Sequence, residues 1–482
     1  MPRLRHPMDV LSSAHRLAAV VPAWNEAESI GAVVSGLRQA GACCVLVVDP
    51  GSADTTRAAA MAAGATVVDE PRRGYGRACL TGTAAAVATG HEFVAFLDGD
   101  GSCDPSELPA MLAAAERSEA DLVLGRRQSA ERGALPWHAR LGNLLVASML
   151  IARTGTPVGD LPPFKLVRAD ALVALRLDEE GYGWTVQLVG RSLAHPVLRV
   201  VESTSRFRAR TGGRSKVSGR LGPSVRAAGA MSRQAWTASR RRGLLVLMAK
   251  APRSGHSKTR LEAALGAEAT ATFWTACLGD AGDQLRRIAA RADLDVAAMA
   301  PTPDDAALVR RLTGLPTLAQ RDPGLGRALL EVSELDAPFT IAVSADVPTL
   351  PADLVVRAAS VMRDRPAVLG PGHDGGYYLV GLRRGVDRLA RRRAFLDVPM
   401  GTGTVLAHTR SALGDPLLLQ PWPDVDTVEE LDQLQRELDR DPSAAPRLAV
   451  WSAAHSMRTP ERGRGVPIGV SGDQQSLASY EQ

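Results

Sequence analysis

From Arg16 onward, short β-branched runs alternate with alanine-rich stretches of helical spacing: RLAAVVPA, NEAESIGAVVSGLRQAG, CCVLVVD, SADTTRAAAMAAG, ATVVDE. Unbroken apolar runs of about four to eight residues, separated by helical segments, mark βαβ units whose parallel sheet is covered on both faces. The pattern predicts a doubly wound α/β unit over residues 16–220, preceded by a flexible start over 1–15. The basic stretch PSVRAAGAMSRQAWTASRRRG then predicts a helix or linker over 221–243, and the alternation restarts at LLVLMAK for a second α/β unit over 244–440. The end of the chain, RTPERGRGVPIGVSGDQQSLASYEQ, has little to bury, and residues 441–482 are expected to form a disordered tail.

Length and composition fit this division. At about 100–200 residues per domain, 482 residues exceed one core, and 45% apolar residues are ample for two. Five cysteines (Cys43, Cys44, Cys79, Cys103, Cys277) sit at no metal-like spacing, and MPRLRHPMDVLSS has no apolar leader core, which points to a reducing cytoplasm. The apolar stretch over 141–152 is shorter than the roughly 20 residues of a membrane span. A net charge of +5 suits nucleic acid, anionic lipid or phosphorylated substrates, but only 4% of residues are aromatic and no stacking aromatics alternate with basic residues, which argues against nucleic acid.

In open α/β sheets ligands bind beyond the carboxyl ends of the strands, and each apolar run here is followed by polar residues. Asn25 and Glu26 follow AAVVPA, Asp49 follows VLVV, Asp98 and Asp100 follow EFVAFL, and Arg126 and Arg127 follow ADLVLG. A single such acid is usually a helix N-cap; four positions on one edge are a candidate site. In FLDGDGSCDP two carboxylates one residue apart repel, and a Mg²⁺ or Mn²⁺ ion would relieve that repulsion. Gly99 and Gly101 would let backbone and ligand approach closely. A solvated Asp-Gly turn accounts for the same residues equally well.

The ordered set PAWNEAESIGAVV, VVDPGSADTT, RRGYGRA, FLDGDGSCDP, LGNLL, DLPPFK, YGW and RTGGRSKVSG resembles family 2 glycosyltransferases, in particular their dolichyl-phosphate mannosyltransferase-like branch, over residues 17–219. The resemblance implies a Rossmann-like GT-A fold, a DxD motif at Asp98 and Asp100 carrying a divalent metal, and a nucleotide-diphosphate sugar as donor. It implies that Pro22, Ala23, Asn25, Glu26, Asp49, Arg73 and Gly74 hold the nucleotide, with Arg214, Ser215 and Lys216 closing on the donor phosphates. Pro50 stands where the family usually has a second acid, which leaves the base open between uridine and guanine. Arg126 and Arg140 are candidates for neutralising phosphate, although RARTGGRSK by composition alone is a solvated basic loop. Asp160 is either a second acid near the acceptor or a turn residue before Pro162 and Pro163. The segment WHARLGNLLVASMLIARTG, with basic ends Arg140 and Arg153, is either a buried core helix or an interfacial helix presenting a polyprenyl-phosphate acceptor from a peripherally bound membrane.

In the second half GHSKT lacks the spacing of a P-loop. LMAKAPRSGHSKTRL, VSADVPTLP, LGPGHDGGYYLVGLR, VPMGTGTVLAHT and DVDTVEEL resemble an uncharacterised bacterial family related to GT-A glycosyltransferases and nucleotidyltransferases, some of whose members are described as arsenosugar-biosynthesis glycosyltransferases, over residues 244–434. That implies a second nucleotide-diphospho-sugar transferase fold in tandem. Lys250, Lys258 and Arg260 lie on a glycine-containing loop after its first strand, suited to phosphates. Asp346 follows FTIAVSA as a metal-ligand candidate, with Asp424 or Asp426 as its partner. Asp374, Gly375 and Gly376 either shape a sugar or base pocket or form a hairpin turn. This half is read as a second transferase, as a nucleotidyltransferase making the activated donor, or as a non-catalytic nucleotide-binding or docking module.

Overall fold

The computed structural model describes residues 16–129, 137–210, 221–255 and 258–455. The first half builds a seven-stranded sheet from β1 (Leu17–Pro22), β2 (Cys44–Asp49), β3 (Thr66–Asp69), β4 (Phe93–Phe96), β5 (Leu122–Ser129), β6 (Lys165–Arg168) and β7 (Val200–Phe207), in the order β3-β2-β1-β4-β6-β5-β7. The second builds its own from β8 (Leu244–Met248), β9 (Asp295–Ala300), β10 (Thr317–Ala319), β11 (Phe339–Ser344), β12 (Ala367–Pro371), β13 (Tyr377–Arg383) and β14 (Leu417–Leu418), in the order β10-β9-β8-β11-β13-β12-β14. The two orders are the same order, repeated.

The predicted two-sided burial is visible strand by strand. Ala18 and Val20 of β1 face one core while Leu17, Ala19 and Val21 face another across the sheet. Leu245 and Leu247 of β8 are likewise separated from Leu244 and Val246. Alternate residues of a strand point to opposite faces, so a strand covered by helices on both sides must be apolar throughout.

Both sheets are mixed, which corrects the all-parallel expectation. β6 runs antiparallel to β4 and β5, and β13 antiparallel to β11 and β12. In the first half, residues 155–164 follow the Trp137–Thr154 helix back to the carboxyl edge, where Asp160 reaches Arg127, so β6 must descend. In the second, β12 and β13 are joined by the Gly372–Gly376 turn, so Asp374, Gly375 and Gly376 form a hairpin.

Residues from Asp441 to His455 do not form the expected tail. Pro446–His455 is a helix with Leu448 and Trp451 buried. Trp451 lies against Phe273 at 5.1 Å and its Nε1 donates to Thr272 Oγ1 at 3.0 Å. Asp280 accepts from the backbone N–H of Arg447 and Leu448, groups that a helix start leaves without an internal partner. Apolar residues three apart were enough to dock one more helix; residues 456–482, like 1–15, lie outside the described residues.

The halves meet through the amino edges of both sheets. Arg310, near the end of the Pro303–Thr313 helix, donates to Asp121 before β5 at 2.5 Å and to Asp170 after β6 at 2.9 Å. Arg176 donates to Ala289 O (2.6 Å) and Leu294 O (2.7 Å), and Arg242 pairs with Asp293 at 2.9 Å. Ala174 packs into the larger core of the second half. With amino edges apposed, the carboxyl edges face opposite ends of the molecule.

Candidate active site

At the carboxyl edge of the first sheet the β1 and β2 turns are cross-linked. Asn25 has a left-handed backbone (φ 53°), which turns its N–H to Ser52 Oγ (2.9 Å) while its Oδ1 accepts from Ala53 N (2.9 Å). Buried Asp49 accepts from both Ser52 N (2.9 Å) and Ser52 Oγ (2.7 Å). Glu26 N donates to Thr56 Oγ1 at 2.8 Å. Ala23 N donates to Val48 O at 3.0 Å, and Gly99 N donates to Pro22 O at 3.4 Å. These bonds place Pro22, Ala23, Asn25, Glu26 and Asp49 along one rim. Arg73 joins it by lying 4.3 Å over the Trp24 ring. Gly74 follows because a Cβ there would meet Glu180 O at 2.6 Å.

β4 carries Asp98 and Asp100 to the middle of that rim. Asp100 is buried, accepts from Ser102 N at 2.9 Å and pairs with Arg210 Nη2 at 2.9 Å. The same guanidinium lies 3.8 Å from Glu26 Oε1. Asp98 Oδ1 is buried and has no hydrogen-bond partner among the described residues. Burial first, and then the Asp100 charge, push the Asp98 carboxyl up to about 6, against the pull of Lys165 and of a Tyr75 hydrogen bond. A buried carboxylate oxygen with no partner beside a second carboxylate is the donor set that a hard divalent cation fits.

Lys165, Tyr75 and Arg210 were not singled out from sequence. Lys165 is fully buried at the start of β6, opposite Phe96, and donates to Pro162 O (3.1 Å) and Thr185 Oγ1 (3.0 Å) while lying 5.4 Å over the Trp184 ring. Burial lowers its pKa, partly offset by Cys79 and Asp98. Only the DLPPFK motif hinted at it. Burial and the neighbouring Asp98 charge raise the Tyr75 hydroxyl well above its usual value.

Asp160 is held by Arg127 Nε (2.8 Å) and Nη2 (2.7 Å), by Arg127 N (3.1 Å), Asn143 Nδ2 (3.0 Å) and Leu161 N (2.8 Å). Burial would raise its pKa, but the Arg127 bonds prevail and lower it. A carboxylate with this many donors anchors the β5 end to the Trp137–Thr154 helix. Neighbouring Arg126 is largely exposed, its Nη1 3.7 Å from Glu202 Oε2. The Arg140 side chain, and Arg214, Ser215 and Lys216, lie outside the described residues.

The corresponding edge of the second sheet holds Asp346 after β11 and Asp424 and Asp426 after β14, with one carboxylate oxygen of each within 4.8 Å of the others. Lys258 stands among them. Its Nζ donates to Val425 O at 2.7 Å, pairs with Asp426 at 2.5 Å and lies 3.4 Å from Asp346. Burial alone would lower the Lys258 pKa, but the two carboxylates outweigh it and raise it. Asp346 shifts down, its burial outweighed by Lys258. Asp424 is pushed up to about 6 by burial and by Asp346 and Asp426. A cavity of about 600 Å³ opens here, lined by Lys250, Lys258, Arg260, Trp274, Gln320 and Asp346 among others. Asp374 and Gly375 are not among its lining residues, and the Asp374 carboxylate instead accepts from Gly376 N at 2.8 Å within the hairpin.

Mixed seven-stranded sheets with acids at the end of the fourth strand define, in both halves, a nucleotide-diphospho-sugar transferase fold of GT-A type. Residues 18–173 match glycosyl transferase family 2, and residues 275–402 match a family of uncharacterized proteins conserved in bacteria (DUF2064). An uncharacterized glycosyltransferase of Mycobacterium tuberculosis is 40% identical over 209 residues, 43% of this chain and 93% of that protein. The undecaprenyl-phosphate mannosyltransferase of Micrococcus luteus is 32% identical over 42% of this chain and 88% of its own. Glucosyl-3-phosphoglycerate synthase from Mycobacterium tuberculosis, solved with Mn²⁺, uridine-diphosphate-glucose and phosphoglyceric acid, is 22% identical over 46% of this chain and 80% of that one, with a TM-score of 0.37. The chain belongs, through its first half, to glycosyltransferase family 2; in its second half the match to the uncharacterized bacterial family spans residues 275–402.

Proposed function

We propose that the first half transfers a glycosyl group from a nucleotide-diphosphate sugar to a polyprenyl phosphate, using Mg²⁺ or Mn²⁺ held by Asp98 and Asp100. The observation that carries the reading is the buried, unpartnered Asp98 oxygen beside Asp100 on the rim formed by Pro22, Ala23, Asn25, Glu26 and Asp49. The acceptor class draws on relatives named for undecaprenyl-phosphate and polyprenol substrates. The ion would neutralise the diphosphate as it leaves.

In the reaction an acceptor phosphate oxygen bonds to the anomeric carbon while the bond from that carbon to the donor diphosphate breaks. A phosphate monoester is mostly dianionic near pH 7, so its oxygen needs no general base. That suits a site whose Asp160 is committed to Arg127. Arg126, exposed within the outer half of β5, would orient the incoming phosphate. Arg210 would shift from Asp100 toward the leaving diphosphate, and Lys165 holds the strand ends while tempering the repulsion between the two acids.

The test is radiolabel transfer from UDP- and GDP-sugars to undecaprenyl phosphate in detergent, with and without EDTA. Metal-dependent labelling of the lipid is expected. Donor hydrolysis with no labelled lipid for any donor would overturn the acceptor class, and transfer undiminished by EDTA would overturn the metal.

A second reading concerns the other half, where the cavity beside Lys258 and Asp346 suits a phosphorylated nucleotide. Equilibrium dialysis of nucleoside triphosphates and nucleotide sugars against an Asp100→Ala chain tests it: binding lost on Arg260→Ala supports this reading, and no binding leaves a docking module.

A further inference from the structure

The Trp137–Thr154 helix is apolar on two faces. Val146, Ala147 and Leu150 are buried in the first half. The outer positions 141, 144, 145, 148, 151 and 152 carry Leu, Leu, Leu, Ser, Ile and Ala, all exposed. Their spacing of three and four residues forms one continuous outer stripe. Leu144 is 62% and Leu145 58% exposed. The Leu221–Ala238 helix packs alongside and adds Trp236, 61% exposed, with Arg153 4.0 Å over its ring. Of the eleven large apolar side chains exposed among the described residues, five (Leu141, Leu144, Leu145, Ile151 and Trp236) lie on these two helices. That concentration is what a soluble surface avoids.

The two helices themselves carry charge of one sign. No acidic residue occurs between Glu131 and Asp160, or between Glu202 and Glu262. Arg233, exposed three residues before Trp236, shares its face of the helix, and exposed Arg240 follows just past the helix end at Ala238. Apolar side chains, an exposed Trp and flanking arginines are the components of a helix pair lying on an anionic bilayer. No helix among the described residues is long and apolar enough to cross one.

We infer that this face docks the protein on membranes containing anionic phospholipid, with Leu141, Leu144, Leu145, Ile151 and Trp236 entering the acyl boundary and Arg153, Arg233 and Arg240 meeting the headgroups. The stripe is tied to the site, since Asn143, between its leucines, donates to Asp160 beside Arg126. A lipid-linked phosphate leaving the bilayer at Leu144 therefore emerges next to Asp160 and Arg126. This role rests on the acceptor reading above; the docking itself is measured without donor or acceptor.

The experiment is co-sedimentation of the full-length chain with phosphatidylcholine vesicles, plain or containing about one part in three phosphatidylglycerol. Binding to the anionic vesicles is expected, weakened by salt. The double variant Leu144→Asp, Leu145→Asp should reduce it by roughly 30-fold or more, and Arg233→Glu with Arg240→Glu by roughly 10-fold at low salt. Leu389→Asp, an exposed apolar residue of the second half, should change nothing. All positions are exposed, and an unchanged thermal transition checks the fold. No binding by the wild type, or equal binding by the leucine variant, overturns the inference. So does a dimer of the wild type in light scattering that the leucine variant converts to monomer without altering vesicle binding, since the stripe would then be a contact between copies. Loss of vesicle binding with transfer to detergent-solubilised lipid intact supports docking and leaves the catalytic reading standing.

Discussion

The two halves share one strand order and put acids at the same strand end, yet they differ in the positive charge that faces those acids. In the first half Asp98 and Asp100 come from a single strand, and Arg210, on the chain beyond β7 and 32% exposed, reaches in to Asp100. In the second the acids come from two strand ends, and Lys258, its side chain 5% exposed, is tied to Asp346, Asp426 and Val425 O. A half-exposed guanidinium can swing out when a ligand arrives. A buried ammonium with three acceptors leaves only by breaking bonds that are expensive to lose without water. On the proposed reading the first edge can open for a cation, whereas at the second a lysine already occupies the place between the acids.

The sharpest way to break this comparison is to remove one acid from each half. Asp100→Ala should lower glycosyl transfer by roughly 10³-fold, while Asp346→Asn in the same full-length chain should leave it within about two-fold, because its partners Lys258 and Val425 lie in the second half. Equal losses would show that the halves do not work separately. Next in size is the joint between them: Arg310→Ala strands Asp121 and Asp170 partly buried and should destabilise the chain by about 3–5 kcal/mol, read from denaturant unfolding. Little change there would mean that the halves fold without regard to each other.

A smaller effect follows from acidity. Burial and the Asp100 charge push the Asp98 carboxyl up to about 6. A cation needs the ionised form, so Mn²⁺-dependent donor binding should be flat above about pH 7 and fall about ten-fold per unit once pH drops below 6. Calorimetry across this range checks it, and a profile flat to pH 4 would remove Asp98 from the metal site. Smallest is the lysine plug. Lys258→Met should strengthen Mn²⁺ binding by the second half roughly five-fold, measured on an Asp100→Ala background to silence the first site. Weaker binding instead would mean that Lys258 organises the acids rather than competing for them.

Much of this was legible along the chain because strands covered on both faces write unbroken apolar runs, and the residues just past them, Asn25, Asp49, Asp98, Asp100 and Asp346, are where a sheet edge must be polar. Asp346, Asp424 and Asp426 could be named because each closes or follows such a run. What escaped was set by folding over long sequence distances. Nothing near Arg210 says that it will meet Asp100, or that Arg310 will reach Asp121 and Asp170. Lys165 looks like a charge at a strand start, and only the reversal of β6 buries it opposite Phe96. The Trp137–Thr154 segment allowed a core or an interfacial reading because it has two apolar faces, one inward and one outward.

Amino edges placed back to back put the two acidic edges about 50 Å apart, counting two strand lengths of roughly 20 Å each and the joint between them. Whatever one half releases must escape into solution and diffuse around the molecule before the other can take it. Fusion therefore fixes the ratio of the two halves without giving either a private supply. Were the halves to act in series, an unlabelled intermediate added to the medium would dilute label in the final product as fully as if the two were separate proteins.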